Sequence, residues 1–248
     1  MDDLARKVKK ANRDFYDIVG SSYESIDGRR SEELICYVDD QVRMISRNIK
    51  ADSILDLGCG NGFISRVSNS YFKRRYALDI SYGVMKDIDD KNLCRIAADS
   101  DLIPIKDAQI NCVVTFAVLH HCYSYEKILS EIYRVLTAGG IYYSDHDMDS
   151  HFFKRFGLLL KMYRKINTIS NHHVLGFDQA LKRIHHCSEF HSDGIPSQTI
   201  KAKLKSIGFK DIKFDYHWFG LSPLTNKMFG KRSYNKGYAP LVRIIAVK

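Results

Sequence analysis

Residues Ile54-Leu55-Asp56-Leu57-Gly58-Cys59-Gly60-Asn61-Gly62 join an apolar run to three glycines at alternate positions. Such a loop lets the backbone turn sharply and lie against a ligand, because no Cβ intervenes. The helix expected behind it offers N–H groups with no partner inside the helix. The spacing excludes two common ligand loops. A dinucleotide loop reads G-x-G-x-x-G, and its third glycine would fall at Phe63. A phosphate-binding P-loop needs a Gly-Lys followed by Ser or Thr, and none follows. Asp56 stands two residues before the first glycine, where it would repel a pyrophosphate and suit a cationic amino-acid tail.

This segment resembles the first motif of the class I S-adenosylmethionine-dependent methyltransferases, in the broad small-molecule subgroup that includes the quinone-biosynthesis C-methyltransferases. The likeness covers about residues 50–147 well and 196–248 loosely, and its motifs speak to the cofactor rather than to the substrate. It implies that S-adenosyl-L-methionine lies against Asp56, Gly58, Cys59, Gly60, Asn61 and Gly62. Two further acids fit the same picture. Asp79 comes 21 residues after Gly58, at the end of the run Tyr76-Ala77-Leu78 and before Ile80, where an acid can accept hydrogen bonds from both ribose hydroxyls. By resemblance, Asp99 accepts from the adenine amino group while the Ser100 N–H meets the ring. Three acids at three successive strand ends belong at the carboxyl edge of a sheet, where α/β ligands bind.

Val114-Thr115-Phe116-Ala117-Val118-Leu119-His120-His121 resembles the family's fourth-strand motif. The resemblance sets Phe116 and Ala117 near the cofactor and His121 near the transferred methyl group. Tyr16 and Tyr23, in the segment 15–23, match a part of the family that folds over cofactor and substrate as a lid; an aromatic helix face packed on the sheet is the other reading. Asp145-His146-Asp147 is expected to follow the fifth strand and face the pocket. With His121, His146 is therefore a candidate general base. The acids of this cluster could ligate a divalent cation, but they serve equally as loop caps, and no metal is expected. His185, His186, His191 and Cys187 lack the paired spacing of a structural zinc site.

These residues need elements to hold them. Helices are expected over 4–19 and 31–48, the second capped by Ser31 and carrying Leu34, Val38, Val42 and Ile45 at helical spacing. Strand and helix then alternate: strands at 53–57, 75–80, 94–98, 111–119 and 141–144, helices at 63–71, 84–91 and 125–136, with Gly139-Gly140 closing the last helix. The run 111–119 is the most apolar and is expected at the sheet centre. Residues 150–190 hold no strand pattern; Phe152, Phe153, Phe156, Leu159, Leu160, Tyr163 and Ile166 form one stripe, with Lys154, Arg155, Lys161 and Lys165 elsewhere. A helix over 197–207, strands at 212–218 and 241–247, and a loop over 220–240 complete the chain. Repeated βα units imply a parallel sheet with helices on both faces. The resemblance specifies a doubly wound, Rossmann-like, seven-stranded, mostly parallel sheet with an antiparallel last strand. The chain reads as a single domain over 1–248, with an N-terminal helical lid over 1–48 and an inserted helical cap over 150–195.

The bulk properties agree with one folded unit. Of 248 residues, 45% are hydrophobic and 27% charged, which argues against wholesale disorder. The N-terminus lacks an apolar signal core, and the apolar run at 112–119 is far shorter than the roughly 20 residues of a membrane span. Six cysteines without a C-x-x-C pair suit a reduced, cytoplasmic protein. The net charge of +9 is uneven: residues 151–248 hold 18 Lys and Arg against 5 Asp and Glu, whereas residues 1–150 hold 20 against 24. The basic excess can attract an anionic partner, or it can be a solvated surface.

The expected function is methyl transfer from S-adenosyl-L-methionine to a small hydrophobic or amphipathic acceptor held under the apolar cap. The alternatives are an RNA methyltransferase using the basic C-terminal portion, and a protein that binds the cofactor or a partner without catalysis. No integral membrane association is expected, and the sequence leaves the oligomeric state open.

Overall fold

The computed structural model describes residues 2–20, 31–166 and 178–248, with the side chains of 159–166 left aside. In chain order the elements are α1 (Asp3–Val19), α2 (Glu32–Asn48), β1 (Ser53–Leu57), α3 (Phe63–Val67), β2 (Arg74–Asp79), α4 (Tyr82–Met85), β3 (Leu93–Ala97), β4 (Ile110–Phe116), α5 (Tyr125–Val135), β5 (Leu136–Met148), α6 (Ser150–Ile166), α7 (Gln179–Ser188), α8 (Ser197–Ile207), β6 (Lys210–His217), α9 (Pro223–Phe229) and β7 (Leu241–Val247). Single 3₁₀ turns lie at Ser68–Ser70 and Leu119–His121.

The seven strands form one sheet in the order β3-β2-β1-β4-β5-β7-β6. All neighbouring pairs are parallel except those of β7, which runs antiparallel to both β5 and β6. β4 is the central strand, as its apolar run required. Its side chains alternate between faces: Val113 joins Leu55, Ile128, Ile132, Ile200 and Leu204 under α5 and α8, while Cys112 and Val114 join Leu34, Val38, Val42 and Ile45 of α2 on the other face. This period-two split is why a fully apolar strand must lie inside a sheet covered on both sides.

The segment 1–48 divides between two places. α2 is a layer of the core, whereas α1 rests on α4 and α7 at the carboxyl edge of the sheet. Asp17 fastens α1 there by accepting from the Ser81 hydroxyl at 2.6 Å and the Gly83 N–H at 2.9 Å. In the segment 150–195, α6 buries Phe152 against Trp218, and α7 faces α1.

Several boundaries differ from the sequence expectation. α4 spans only Tyr82–Met85, and helix after the glycine loop stops at Val67 before a 3₁₀ turn. α5 ends at Val135 rather than at the Gly-Gly pair, because Leu136 pairs with Ile110 and Gly139 and Gly140 exchange hydrogen bonds with Lys248. The Lys248 ammonium also donates to the carbonyls of Tyr133 and Leu136 at 2.6 and 2.7 Å, closing the helix from 112 residues away. The expected loop 220–240 contains α9, started by Ser222 and Thr225 in a capping box.

Candidate active site

The cleft lies where the strand order reverses between β1 and β4, at the carboxyl ends of the strands, the usual ligand position in such sheets. Gly58, Gly60 and Gly62 all have positive φ (72°, 52° and 81°), so the alternate glycines form a chain of left-handed turns. At Gly58 a Cβ would stand 2.6 Å from Val118 Cγ2, so the bare backbone of the loop packs directly on the Val118 side chain of the turn after β4. Gly58, Cys59 and Gly60 line the cleft. Asn61 and Gly62 do not; Gly62 instead starts α3, and its Cβ would meet Ile88.

Asp56 is buried at the end of β1 and accepts from the backbone and hydroxyl of Ser65 at 2.9 and 2.8 Å, bracing the helix behind the loop. Asp79 accepts from the Gly60 N–H and the Ser81 N–H, both at 3.0 Å. Burial raises the Asp79 carboxyl above its usual range despite these N–H groups. Asp99 accepts from the Lys9 ammonium at 2.6 Å and from the Asp101 N–H at 2.9 Å. Asp56, Asp79, Ile80, Asp99, Ser100, Phe116 and Ala117 all border the same cleft. Ala117 has φ 55°, a conformation an alanine holds at a cost of about 1–2 kcal/mol, and its N–H donates to the Asp145 carbonyl.

α1 forms the roof. Lys9, Asn12 and Tyr16 line the cleft, and their spacing of three and four residues puts them on one helical face. Of these the sequence singled out only Tyr16; Lys9 meets its partner Asp99 across 90 residues, which local pattern does not reveal. Asp101 likewise borders the cleft without having been expected there. Tyr23 lies outside the described residues.

His121 also lines the cleft. Its Nδ1–H donates to the Ser188 carbonyl at 2.8 Å, so Nε2 carries the lone pair and accepts from the Tyr16 hydroxyl at 3.0 Å. Burial and then the charge of His120 lower the imidazole to about 4, so His121 is neutral at pH 7. His120 behaves oppositely. Burial opposes its charge, but Asp147 and Glu189 more than reverse this and raise it to about 10. Adjacent histidines in one turn are thereby split into a cation and a neutral ring.

Asp145-His146-Asp147 does not face the cleft as expected. β5 runs through it to Met148, with a register shift between Ser144 and Asp147, and the three side chains are buried. Asp145 accepts from the Tyr37 and Tyr143 hydroxyls (3.0 and 2.6 Å), the His146 N–H and Nδ1–H (2.7 and 3.0 Å) and His217 Nε2–H (2.8 Å). Burial would raise this carboxyl, but the charges of His217 and His146 and their hydrogen bonds hold it well below the usual range. His146 stacks on Phe116 at 4.3 Å, behind the cleft wall, and packs where a Cβ on Gly220 would overlap its ring. The extension of β5 is the cause: residues in a paired strand point across the sheet rather than over its edge.

Residues 55–144 match the protein family described as "Methyltransferase domain". The malonyl-[acyl-carrier protein] O-methyltransferase of Hamiltonella defensa is 27% identical over 122 residues, 48% of this chain and 45% of that protein. A tRNA (carboxymethyluridine(34)-5-O)-methyltransferase of Arabidopsis thaliana is 33% identical over 90 residues, 35% of this chain and 22% of that protein. The chain spans less than half the length of these curated relatives. Among solved structures, an S-adenosylmethionine-dependent methyltransferase from Thermotoga maritima superposes with a TM-score of 0.65 at 14% identity, covering 95% of this chain and 99% of that one. The phosphoethanolamine N-methyltransferase 2 of Haemonchus contortus, solved with S-adenosyl-L-methionine, gives 0.53 at 14% identity over 84% of this chain and 52% of that one. The chain thus carries a methyltransferase domain over residues 55–144, on a seven-stranded sheet of the fold shared with the S-adenosylmethionine-dependent methyltransferases on which it superposes.

Proposed function

We propose that the chain transfers the methyl group of S-adenosyl-L-methionine to a small hydrophobic or amphipathic acceptor. The observation that carries this reading is one cleft bordered by the glycine loop, by Asp56, Asp79 and Asp99, and by the neutral His121. The donor set suits the cofactor: Asp79 accepts two ribose hydroxyls beside its N–H partners, Asp99 and Ser100 take the adenine edge, and Asp56 favours the cationic amino-acid tail. Ile80 and Phe116 supply apolar walls, and Tyr16 with Lys9 closes α1 over the bound molecule.

Bound S-adenosyl-L-methionine supplies a methyl group already activated by its sulfonium. The chain's own task is to hold the acceptor atom in line and exclude water. His121 Nε2 is the basic atom at the cleft and receives the acceptor's proton, directly or through the Tyr16 hydroxyl. His146 acts at one remove, supporting the Phe116 wall. The aromatic lining by Tyr16, Phe63, Phe116 and Tyr123 favours an apolar acceptor.

Calorimetry tests the cofactor assignment. The chain is expected to bind S-adenosyl-L-methionine and its demethylated product, and Asp79→Ala to weaken both at least tenfold. Absence of any binding by the wild-type chain overturns the reading, and heat of binding without turnover on any acceptor would favour a non-catalytic binder. A second reading, an RNA acceptor, draws support from the 18 basic against 5 acidic residues beyond position 150 and from the tRNA-modifying relative. It requires an RNA mobility shift that fades steeply with salt; no shift at low salt removes it.

A further inference from the structure

Three imidazole nitrogens converge on one carboxylate oxygen beside the cleft. Glu189 Oε1 lies 3.7 Å from His120 Nε2, 3.9 Å from His121 Nε2 and 4.0 Å from His185 Nε2. These separations are those of ion pairs rather than of close hydrogen bonds, with Glu189 the counter-charge of His120 in the metal-free chain. They lie slightly above the spacing of about 3.3 Å between ligand atoms that share a tetrahedral ion with bonds near 2.0–2.1 Å. The ligand atoms of His120, His121 and Glu189 all lie within 4.8 Å of one another.

The two adjacent rings are held from behind as metal ligands are. His120 Nδ1 donates to Asp147 at 2.7 Å, and His121 Nδ1 donates to the Ser188 carbonyl at 2.8 Å. A carboxylate and a backbone carbonyl are the two commonest supports that fix a ligating histidine's tautomer and direct Nε2 at an ion. Asp147 is itself fixed, accepting from the N–H groups of Leu119 and His120 at 3.2 and 3.0 Å. Another histidine–carboxylate group among the described residues, Asp145 with His146 and His217, lacks this geometry. There the imidazole nitrogens sit 3.0 and 2.8 Å from Asp145, at hydrogen-bond distance, with the second carboxylate oxygen taken by Tyr37 and Tyr143.

We propose that His120, His121 and Glu189 form a site for a divalent transition ion, zinc in chemical class, with His185 Nε2 beside it, 4.0 Å from Glu189. The residues come from both sides of the cleft wall: the pair from the turn after β4, Glu189 and His185 from α7 and its end. An ion there ties the inserted helix to the sheet and stands next to the Tyr16 hydroxyl, 3.0 Å from His121 Nε2. This departs from the sequence expectation of no metal, because Glu189 lies 68 residues beyond His121 and completes no motif. An ion on His121 Nε2 takes the lone pair that the proposed proton transfer uses, so metal binding and that step exclude each other, and the zinc titration reads the site separately from turnover.

The test uses the full chain without an affinity tag, stripped with a chelator and titrated with zinc sulfate against a chromophoric competitor. One equivalent is expected to bind with micromolar or tighter affinity. Glu189→Gln and His120→Ala should each weaken it at least tenfold, and Asp147→Asn by about 10–100-fold. His217→Asn, in the hydrogen-bonded group, should leave zinc affinity unchanged. Calorimetric binding of S-adenosyl-L-methionine by each variant reports that the cleft is folded, and cobalt substitution provides an absorption signature of nitrogen–oxygen ligation. Failure of the wild-type chain to hold zinc at micromolar concentration overturns the proposal, as does retention of full affinity by a folded Glu189→Gln, His120→Ala double variant.

Discussion

Asp147 Oδ1 accepts from His120 Nδ1 at 2.7 Å, which ties the turn after β4 to the last residues of β5. The same carboxylate holds two backbone N–H groups of that turn. The orientation of His121, the neighbour that borders the cleft, thus rests on an acid that never reaches the cleft itself. Asp147→Ala leaves His120 without its buried counter-charge, and breaking such a pair costs about 3–5 kcal/mol. Urea denaturation should show a loss of this size, and a smaller one for Asp147→Asn, whose amide oxygen still accepts. A Asp147→Ala midpoint equal to wild type would contradict this account.

Asp145 makes the fold sensitive to acid. Its folded carboxyl is held well below the usual value, whereas in the unfolded chain it titrates near about 3.9. The unfolded state therefore binds the proton first. The contribution of Asp145 is complete above that value and is lost as pH falls through it toward the folded pKa. Thermal melts between pH 3 and 7 should show stability falling below about pH 4, and Asp145→Asn should flatten that dependence while lowering stability at pH 7. An unchanged acid slope in the variant would assign the sensitivity to other carboxylates.

Gly58→Ala tests the close approach of loop and turn. The substitution forces a side chain into φ 72° and against Val118 at 2.6 Å. The left-handed conformation alone costs about 1–2 kcal/mol. Cofactor affinity measured by calorimetry should fall at least tenfold. Adding Val118→Ala should recover part of the loss, since it relieves the contact but not the dihedral penalty.

His121 and Tyr16 separate chemistry from binding. If Nε2 of His121 receives the acceptor's proton, His121→Ala should lower kcat by about 10²–10⁴-fold while cofactor affinity stays within a few fold. Tyr16→Phe removes only the hydroxyl and should cost about 1 kcal/mol of stability. A drop in its kcat comparable to that of His121→Ala places the hydroxyl in the proton path; an effect on KM alone assigns it to positioning. Turnover by His121→Ala at the wild-type rate leaves proximity as sufficient.

The amino-acid sequence determined the sheet, the glycine loop and the three acids around it. These features are local: alternate glycines demand left-handed turns wherever they sit, and apolar runs of five to seven residues must enter a two-sided sheet. Gly58, Asp79 and Asp99 were legible because each lies at or within two residues of the end of a strand whose neighbours the βα order already fixes. Tertiary structure alone decided the rest. β5 runs on through Asp145, His146 and Asp147 because β7 pairs alongside it, and this turned a presumed pocket cluster into buried supports. Lys9 reaches Asp99, and Glu189 reaches His120 and His121, only once α1 and α7 fold onto the sheet edge. Side chains that meet across 68 to 90 residues leave no period or spacing in the chain, so the glycine loop could be read from sequence and the histidine–glutamate group beside it could not.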